Sequence, residues 1–198
     1  VKCYNVLTGF KFFAALMRDL EGKEKYIGGG EESFGYLPGD YVRDKDGVAS
    51  CALVAEAAAW AADHGKSLWQ LLLDIYPEYG LFREKLVNVV RKGAEGAAEI
   101  KAMMEGYRTS PPEAIAGSRV ARIDDYQSLV SSDLVTGKKR PLLLEKSNVL
   151  QFFLADGTKI SVRPSGTEPK IKFYFSANTQ MKDASQFEEL WRQLDQRI

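Results

Sequence analysis

"NVLQFFLADGTKISVRPSGTEPKIKFYFS", residues 148–176, decides the architecture of the second half of this chain. Two β-rich runs flank Ala155-Asp156-Gly157, and an Asp-Gly pair between such runs signals a hairpin, because both residues tolerate positive φ. "KIKFYFS" follows as a third strand. The turn between the second and third strands, 163–169, gathers an unusual set of donors. Gly166 lets backbone N–H groups point inward, Ser165 and Thr167 add hydroxyls, and Arg163 supplies a planar fork. Lys172 lies two residues after Lys170, on the same face of a strand of period two, and adds a point charge. Together these groups suit a phosphate dianion. The same residues also read as an ordinary turn, with lysines that keep an edge strand soluble.

Outward from this stretch, the chain closes with an amphipathic helix carrying Phe187, Leu190, Trp191, Leu194 and Ile198 on one face. Residues 94–108 are helical in pattern and "TSPPEA" breaks them. "LFREKLVNVVRK" alternates weakly, as a connecting strand would. In the first half, Thr8 is placed to cap a helix with apolar positions Phe12, Phe13, Leu16, Met17 and Leu20, stopped by Gly22. "KYIG" reads as a short strand. "GGGEESFGYLPGDYVRDKDG", residues 28–47, is too rich in glycine for a regular element and reads as a working loop. Asp46 caps a long Ala-rich helix that runs toward His64 and closes at Gly65, with Arg43 ordering the loop before it. Ser67 and Gln70 form a capping box for a further helix ending near Tyr76-Pro77. A boundary near residue 80 divides the chain into 1–79 and 80–198, the latter an α+β unit.

Composition narrows the function classes. Of 198 residues, 45% are apolar, enough for a real core. Lys+Arg and Asp+Glu stand at 27 each, so any anion site is local; the neutral balance disfavours an RNA-binding role for "KIKFYF" and any broad nucleic-acid partner. No apolar run approaches the roughly 18 residues of a membrane span, and no membrane partner is expected. Cys3 and Cys51 form neither a disulfide framework nor a metal pair, which fits a reducing cytoplasm. The only histidine, His64, falls at a helix end, where a dipole interaction explains it.

"RPSGTEPKIKFYF" closely resembles the phosphate-binding loop in the last domain of the α-D-phosphohexomutases, the phosphoglucomutase and phosphomannomutase family. "GGGEESFG", followed by "VRDKDG" and a long helix, resembles the sugar-recognition loop of that family's third domain, and "LTGFKFF" the helix start upstream of it. The three motifs stand in family order. The resemblance implies the end of an α/β third domain followed by an α+β fourth domain with an antiparallel sheet and packed helices. "EESFGYL" is closer to the phosphoglucomutase and phosphopentomutase branch.

What the resemblance implies for single residues follows motif by motif. Glu31 and Ser33 read the sugar hydroxyls, a carboxylate accepting from two adjacent hydroxyls while a serine donates or accepts. Flanking glycines permit close approach of backbone and ligand. Without the family, acidic residues in such a loop are usually just solvated. Lys11 points at the substrate near the reacting oxygen as a stabilising charge or proton carrier; read alone, it is a solvent-exposed lysine in a helix's first turn. Arg163, Ser165, Gly166, Thr167 and Lys172 hold the non-reacting phosphate. The family's phosphoserine motif and its Asp- and Gly-rich Mg2+ loop belong to earlier domains and have no counterpart in these residues, which themselves offer no metal ligands. The expectation is therefore the C-terminal portion of an isomerase acting on a phosphorylated sugar. Its partners are the N-terminal domains of the same parent chain, and alone it is inactive. A rival expectation is a free-standing, non-catalytic phosphosugar-binding or regulatory module.

Overall fold

The computed structural model describes residues 1–91, 93–166 and 168–198. Two compact units divide the chain, residues 1–72 and 73–198. Among the described residues no helix is long and apolar enough to cross a membrane.

In the first unit, α1 (Phe10–Leu20) opens at Gly9, whose φ of 122° makes the turn. No side chain caps it, so the expected capping role of Thr8 is not realised. Gly22, at φ 72°, follows its end. The strand expected at 25–28 is displaced into the loop that seemed too glycine-rich to hold one. There β1 (Gly29–Gly30) pairs antiparallel with β2 (Tyr36–Leu37). Aromatic packing explains the shift, because glycines 28–30 let rings lie on the backbone. A Cβ at Gly29 would sit 2.7 Å from the Phe13 ring and 2.8 Å from the Tyr26 hydroxyl, and one at Gly28 would sit 2.5 Å from the Tyr36 hydroxyl.

Asp46 caps α2 (Gly47–Asp63), its Oδ1 accepting from the N–H groups of Val48 at 2.9 Å and Ala49 at 3.1 Å. Gly65, at φ 68°, follows the helix end. Within α2 only Ser50, Glu56 and Asp63 are polar, yet Val48 is 84% exposed and Trp60 50%, and Ala61 is its only fully buried residue. A helix apolar on every side is normally a buried one.

The division between units falls inside α3 (Leu68–Tyr79), which opens on the expected capping box: the Ser67 N–H donates to Gln70 Oε1 at 2.8 Å and the Gln70 N–H to Ser67 Oγ at 3.2 Å. It runs two residues beyond the expected stop at Pro77. A proline in the last turn forfeits one backbone bond, and the turn is closed instead by Gly80, at φ 92°, whose N–H donates to Tyr76 O at 2.8 Å.

The second unit is an antiparallel α+β fold. Its elements after α3 are β3 (Leu81–Val90), α4 (Gly93–Thr109), β4 (Ala114–Ile115), β5 (Ser118–Asp125), β6 (Val130–Asp133), β7 (Lys139–Pro141), β8 (Leu150–Leu154), β9 (Lys159–Pro164), β10 (Lys170–Thr179) and α5 (Phe187–Gln196). The sheet order is β3-β10-β9-β8-β5-β6-β7, with β4 added against β5. The β8–β9 connection uses four residues, 155–158, and only Gly157, at φ 86°, takes the left-handed region; Asp156 instead accepts the Thr158 N–H at 2.9 Å.

Register sorts the strand residues into two faces. Ile171, Phe173, Phe175, Val162, Ile160, Leu150 and Phe152 point to one face, where Ile100, Met104 and Tyr107 of α4 complete the core. On the same face, Leu81 and Ala177 pack with Phe187, Leu190, Trp191 and Leu194 of α5. Arg197, just past α5, reaches back to the hairpin. It donates to Asp156 Oδ2 at 3.1 Å, Asp156 O at 3.0 Å, Thr158 Oγ1 at 2.7 Å and Asn178 O at 3.1 Å.

Candidate functional site

The opposite face of the sheet carries the cations. Arg163 on β9 stands directly across from Lys172 on β10, which stands across from Asn88 on β3. Both cations are half-buried, and neither makes a hydrogen bond or ion pair with any described residue. Directly opposed like charges are destabilising in a sheet, so this row holds electrostatic free energy that a bound anion would release. Lys170 is different: it pairs with Glu168 inside the turn. The Lys170 hydrogen bond and charge, with Lys172 contributing, hold the Glu168 carboxyl below the usual carboxylate range against a small desolvation. Two cations, Lys170 and Lys172, therefore act on this one carboxylate.

Backbone bonds shape the turn itself. The Ser165 N–H donates to Lys170 O at 2.8 Å, the Lys170 N–H to Glu168 O at 2.7 Å, and the Arg91 N–H to Pro169 O at 2.9 Å. Ser165, Gly166 and Glu168 line a cleft of roughly 670 Å³ against α4, together with Ala97, Met104 and Arg108. Gly166 has no positive φ, and a Cβ on it would meet open space, so it leaves the rim clear rather than making a strained turn. Ser165 and Gly166 thus open toward the cleft, whereas Arg163 and Lys172 rise from the helix-free face and do not line it. Thr167, the remaining residue of the expected set, lies outside the described residues.

Two residues without a sequence-level role position the turn. Arg91 anchors Pro169, and Gly96 lets the first turns of α4 approach Arg91, since a Cβ at Gly96 would lie 2.6 Å from Arg91 Cβ and 2.7 Å from its carbonyl carbon. The signal for the second was present, because a glycine within a helical run costs stability unless something needs the space.

In the first unit, the loop between β1 and β2 is closed by the Glu31 N–H donating to Gly35 O at 2.8 Å. Glu31 is half-buried and its Oε2 lies over Gly35, 3.2 Å from the point a Cβ would occupy. The stem of Lys45 crosses the same glycine, its Cδ 2.9 Å from that point, and sequence reasoning passed over it. Ser33 is exposed two residues on. The glycines expected to admit a ligand are thus filled by protein at 28, 29, 30 and 35. Lys11 is exposed in the first turn of α1, with Nζ 4.7 Å from the centre of the Phe12 ring. Arg43 bonds Glu21 at 2.8 Å, tying the loop to the end of α1. His64 contacts Trp60 O through Nδ1 at 2.7 Å and stacks on the Trp60 ring, a structural setting. Among the described residues no three His, Cys, Asp or Glu side chains converge as metal ligands would.

Comparisons with known proteins bear on both units. The model of the phosphoglucomutase/phosphomannomutase alpha/beta/alpha domain III matches residues 1–79, and that of the phosphoglucomutase/phosphomannomutase C-terminal domain matches residues 86–193. A phosphoglucomutase of Staphylococcus haemolyticus (strain JCSC1435) is 38% identical over 173 residues, 87% of this chain and 31% of that protein. One from Staphylococcus aureus (strain N315) is 38% identical over 176 residues, 89% of this chain and 32% of that protein. The chain thus spans about a third of the length of the curated relatives it matches. Among solved structures, the open form of the Paramecium exocytosis-sensitive phosphoprotein pp63/parafusin, described as a phosphoglucomutase, shares the fold. Its TM-score is 0.56 at 18% identity, covering 94% of this chain and 32% of that one.

Proposed function

Because this chain belongs to the phosphoglucomutase/phosphomannomutase family, we propose that it is the sugar- and phosphate-reading portion of a phosphohexomutase. The parent enzyme interconverts a sugar 1-phosphate and 6-phosphate in the cytoplasm, through a phosphoserine and a bisphosphate intermediate. The observation that carries this is the opposed pair Arg163 and Lys172, two half-buried cations that make no hydrogen bond or ion pair with a described residue. A dianion between them would turn a repulsion into charge-assisted bonds. In this reading Arg163 and Lys172, from the helix-free face, grip the phosphate that is not transferred, and the turn that follows Arg163, with Ser165, Gly166 and Thr167, supplies further donors only where it bends round the sheet end to the same anion. Glu31 and Ser33 take the ring hydroxyls, and Lys11 stabilises charge near the reacting oxygen.

The phosphoserine and the Mg2+ site belong to other domains of the parent chain, which are its partners. Magnesium there would neutralise charge on the transferring phosphoryl group. Among the described residues no group of His, Cys, Asp or Glu side chains converges to hold that ion.

The test uses the 198-residue chain. With Mg2+ and a trace of glucose 1,6-bisphosphate it is expected to show no interconversion of glucose 1- and 6-phosphate, while phosphorus NMR detects weak binding of glucose 1-phosphate that Arg163→Met weakens at least about tenfold. Turnover by the chain alone would overturn the division of labour, and a phosphorus signal that never responds to the protein would overturn the site.

A further inference from the structure

We propose that Phe34 is a stacking residue for the sugar ring, a specificity determinant that restricts this loop to cyclic sugar phosphates; this rests on the reading of Glu31 and Ser33 as hydroxyl readers. Phe34 sits at φ 68° and is fully exposed, at 100%. The left-handed region is unfavourable for a bulky L-residue and natural for glycine. The loop has glycine in abundance, at 28, 29, 30 and 35, yet none of those four takes positive φ. The one position in the loop whose backbone calls for glycine holds phenylalanine instead. Local strain persists where something else compensates it, and such positions cluster at ligand clamps.

The other aromatics around the loop are engaged. Phe13 and Tyr26 lie over Gly29, Tyr36 lies over Gly28 and Gly30, and Tyr26 donates its hydroxyl to Leu37 O at 3.1 Å. Phe34 alone presents both ring faces to solvent, next to Ser33 and within the same closed turn as Glu31. A pyranose is recognised by this combination of chemistries. Its hydroxyl rim needs a carboxylate and a hydroxyl, whereas its C–H face is apolar and packs on an aromatic ring, whose negative face attracts the C–H dipoles. An acyclic phosphate such as glycerol 3-phosphate offers no such face, and inorganic phosphate offers neither feature.

The experiment compares the wild-type chain with Phe34→Gly, Phe34→Trp and Glu31→Gln, each titrated by proton NMR with glucose 1-phosphate, glycerol 3-phosphate and inorganic phosphate. Phe34→Gly relieves the backbone, so it is expected to fold at least as well, and circular dichroism checks this. In the wild type the glucose ring protons should shift upfield under the ring current. Phe34→Gly should abolish that shift and weaken glucose 1-phosphate binding by roughly tenfold, Phe34→Trp should keep both, and inorganic phosphate binding should not change. Glucose 1-phosphate binding that depends on Glu31 but survives Phe34→Gly without change would overturn the stacking role while leaving the sugar loop intact. That is also the outcome expected if the ring instead meets another protein surface. Glucose 1-phosphate binding indifferent to both Phe34 and Glu31 would overturn the sugar loop itself, and this proposal with it.

Discussion

Replacing Arg163 by methionine should weaken phosphate binding and strengthen the fold at the same time. Methionine keeps most of the aliphatic stem on the sheet and removes only the guanidinium. Arg163 has no hydrogen bond or ion pair with a described residue and faces Lys172 directly across the β9–β10 ladder. Its removal therefore costs no ion pair and relieves a like-charge contact worth about 0.2–1 kcal/mol in a sheet. Against that, a charge-assisted bond to a dianion contributes about 1.5–3 kcal/mol, so affinity for glucose 1-phosphate should fall roughly 10- to 150-fold. Urea unfolding measures the first quantity and calorimetric or phosphorus NMR titration the second, both at low and physiological salt, because screening shrinks each. Lys172→Met should move both quantities in the same directions, and the double variant should show less stabilisation than the sum, since the repulsion can be removed once only. An Arg163→Met protein that unfolds at lower urea yet binds phosphate as before would refute this, and Arg163 would then be a structural residue.

Gly96→Ala should destabilise the second unit by about 1–3 kcal/mol, because its Cβ meets the Arg91 backbone, and it should weaken phosphate binding through the Arg91–Pro169 bond. Gly106→Ala in the same helix meets open space and should stabilise by about 0.5–1 kcal/mol, leaving binding unchanged. Arg197→Met removes bonds to Asp156, Thr158 and Asn178 and should cost about 1–3 kcal/mol at neutral pH by urea denaturation. Partial burial pushes the Asp156 carboxyl up, but the Thr158 N–H and hydroxyl and the Arg197 guanidinium outweigh it and hold the group below the usual carboxylate range. A depressed folded pKa contributes stability that is present above the unfolded value of about 3.9 and lost as pH falls through the folded value. The gap between wild type and Arg197→Met should therefore narrow below about pH 4; a constant gap would show that Asp156 gains nothing from Arg197.

Local signals were the legible ones. Asp46 and the Ser67–Gln70 box could be read because each cap is complete within four residues, and the period-two pattern placed Lys170 and Lys172 on one face of a strand. The strands between 114 and 141 gave little sign of themselves: they are short, and their register is set by pairing with β8 and with each other rather than by local pattern. At the site, composition indicated a cluster of donors around 163–172, but not that Lys170 is engaged by Glu168 while Lys172 stays available, nor that Ser165 opens toward α4 and Arg163 away from it. Those distinctions arise from which side of the sheet α4 covers. The glycines of 28–30 misled for a related reason, since a missing Cβ looks the same in sequence whether a ligand or a tyrosine ring occupies the space.

The bare apolar sides of α2 bear on how this polypeptide behaves in a tube. A seventeen-residue cylinder with valine, leucine and tryptophan open to water lowers its free energy by meeting any oily neighbour, including its own copies. Association of that kind would stabilise the folded form by mass action, so the melting point of the chain is expected to rise with protein concentration. Dilution is then itself a perturbation.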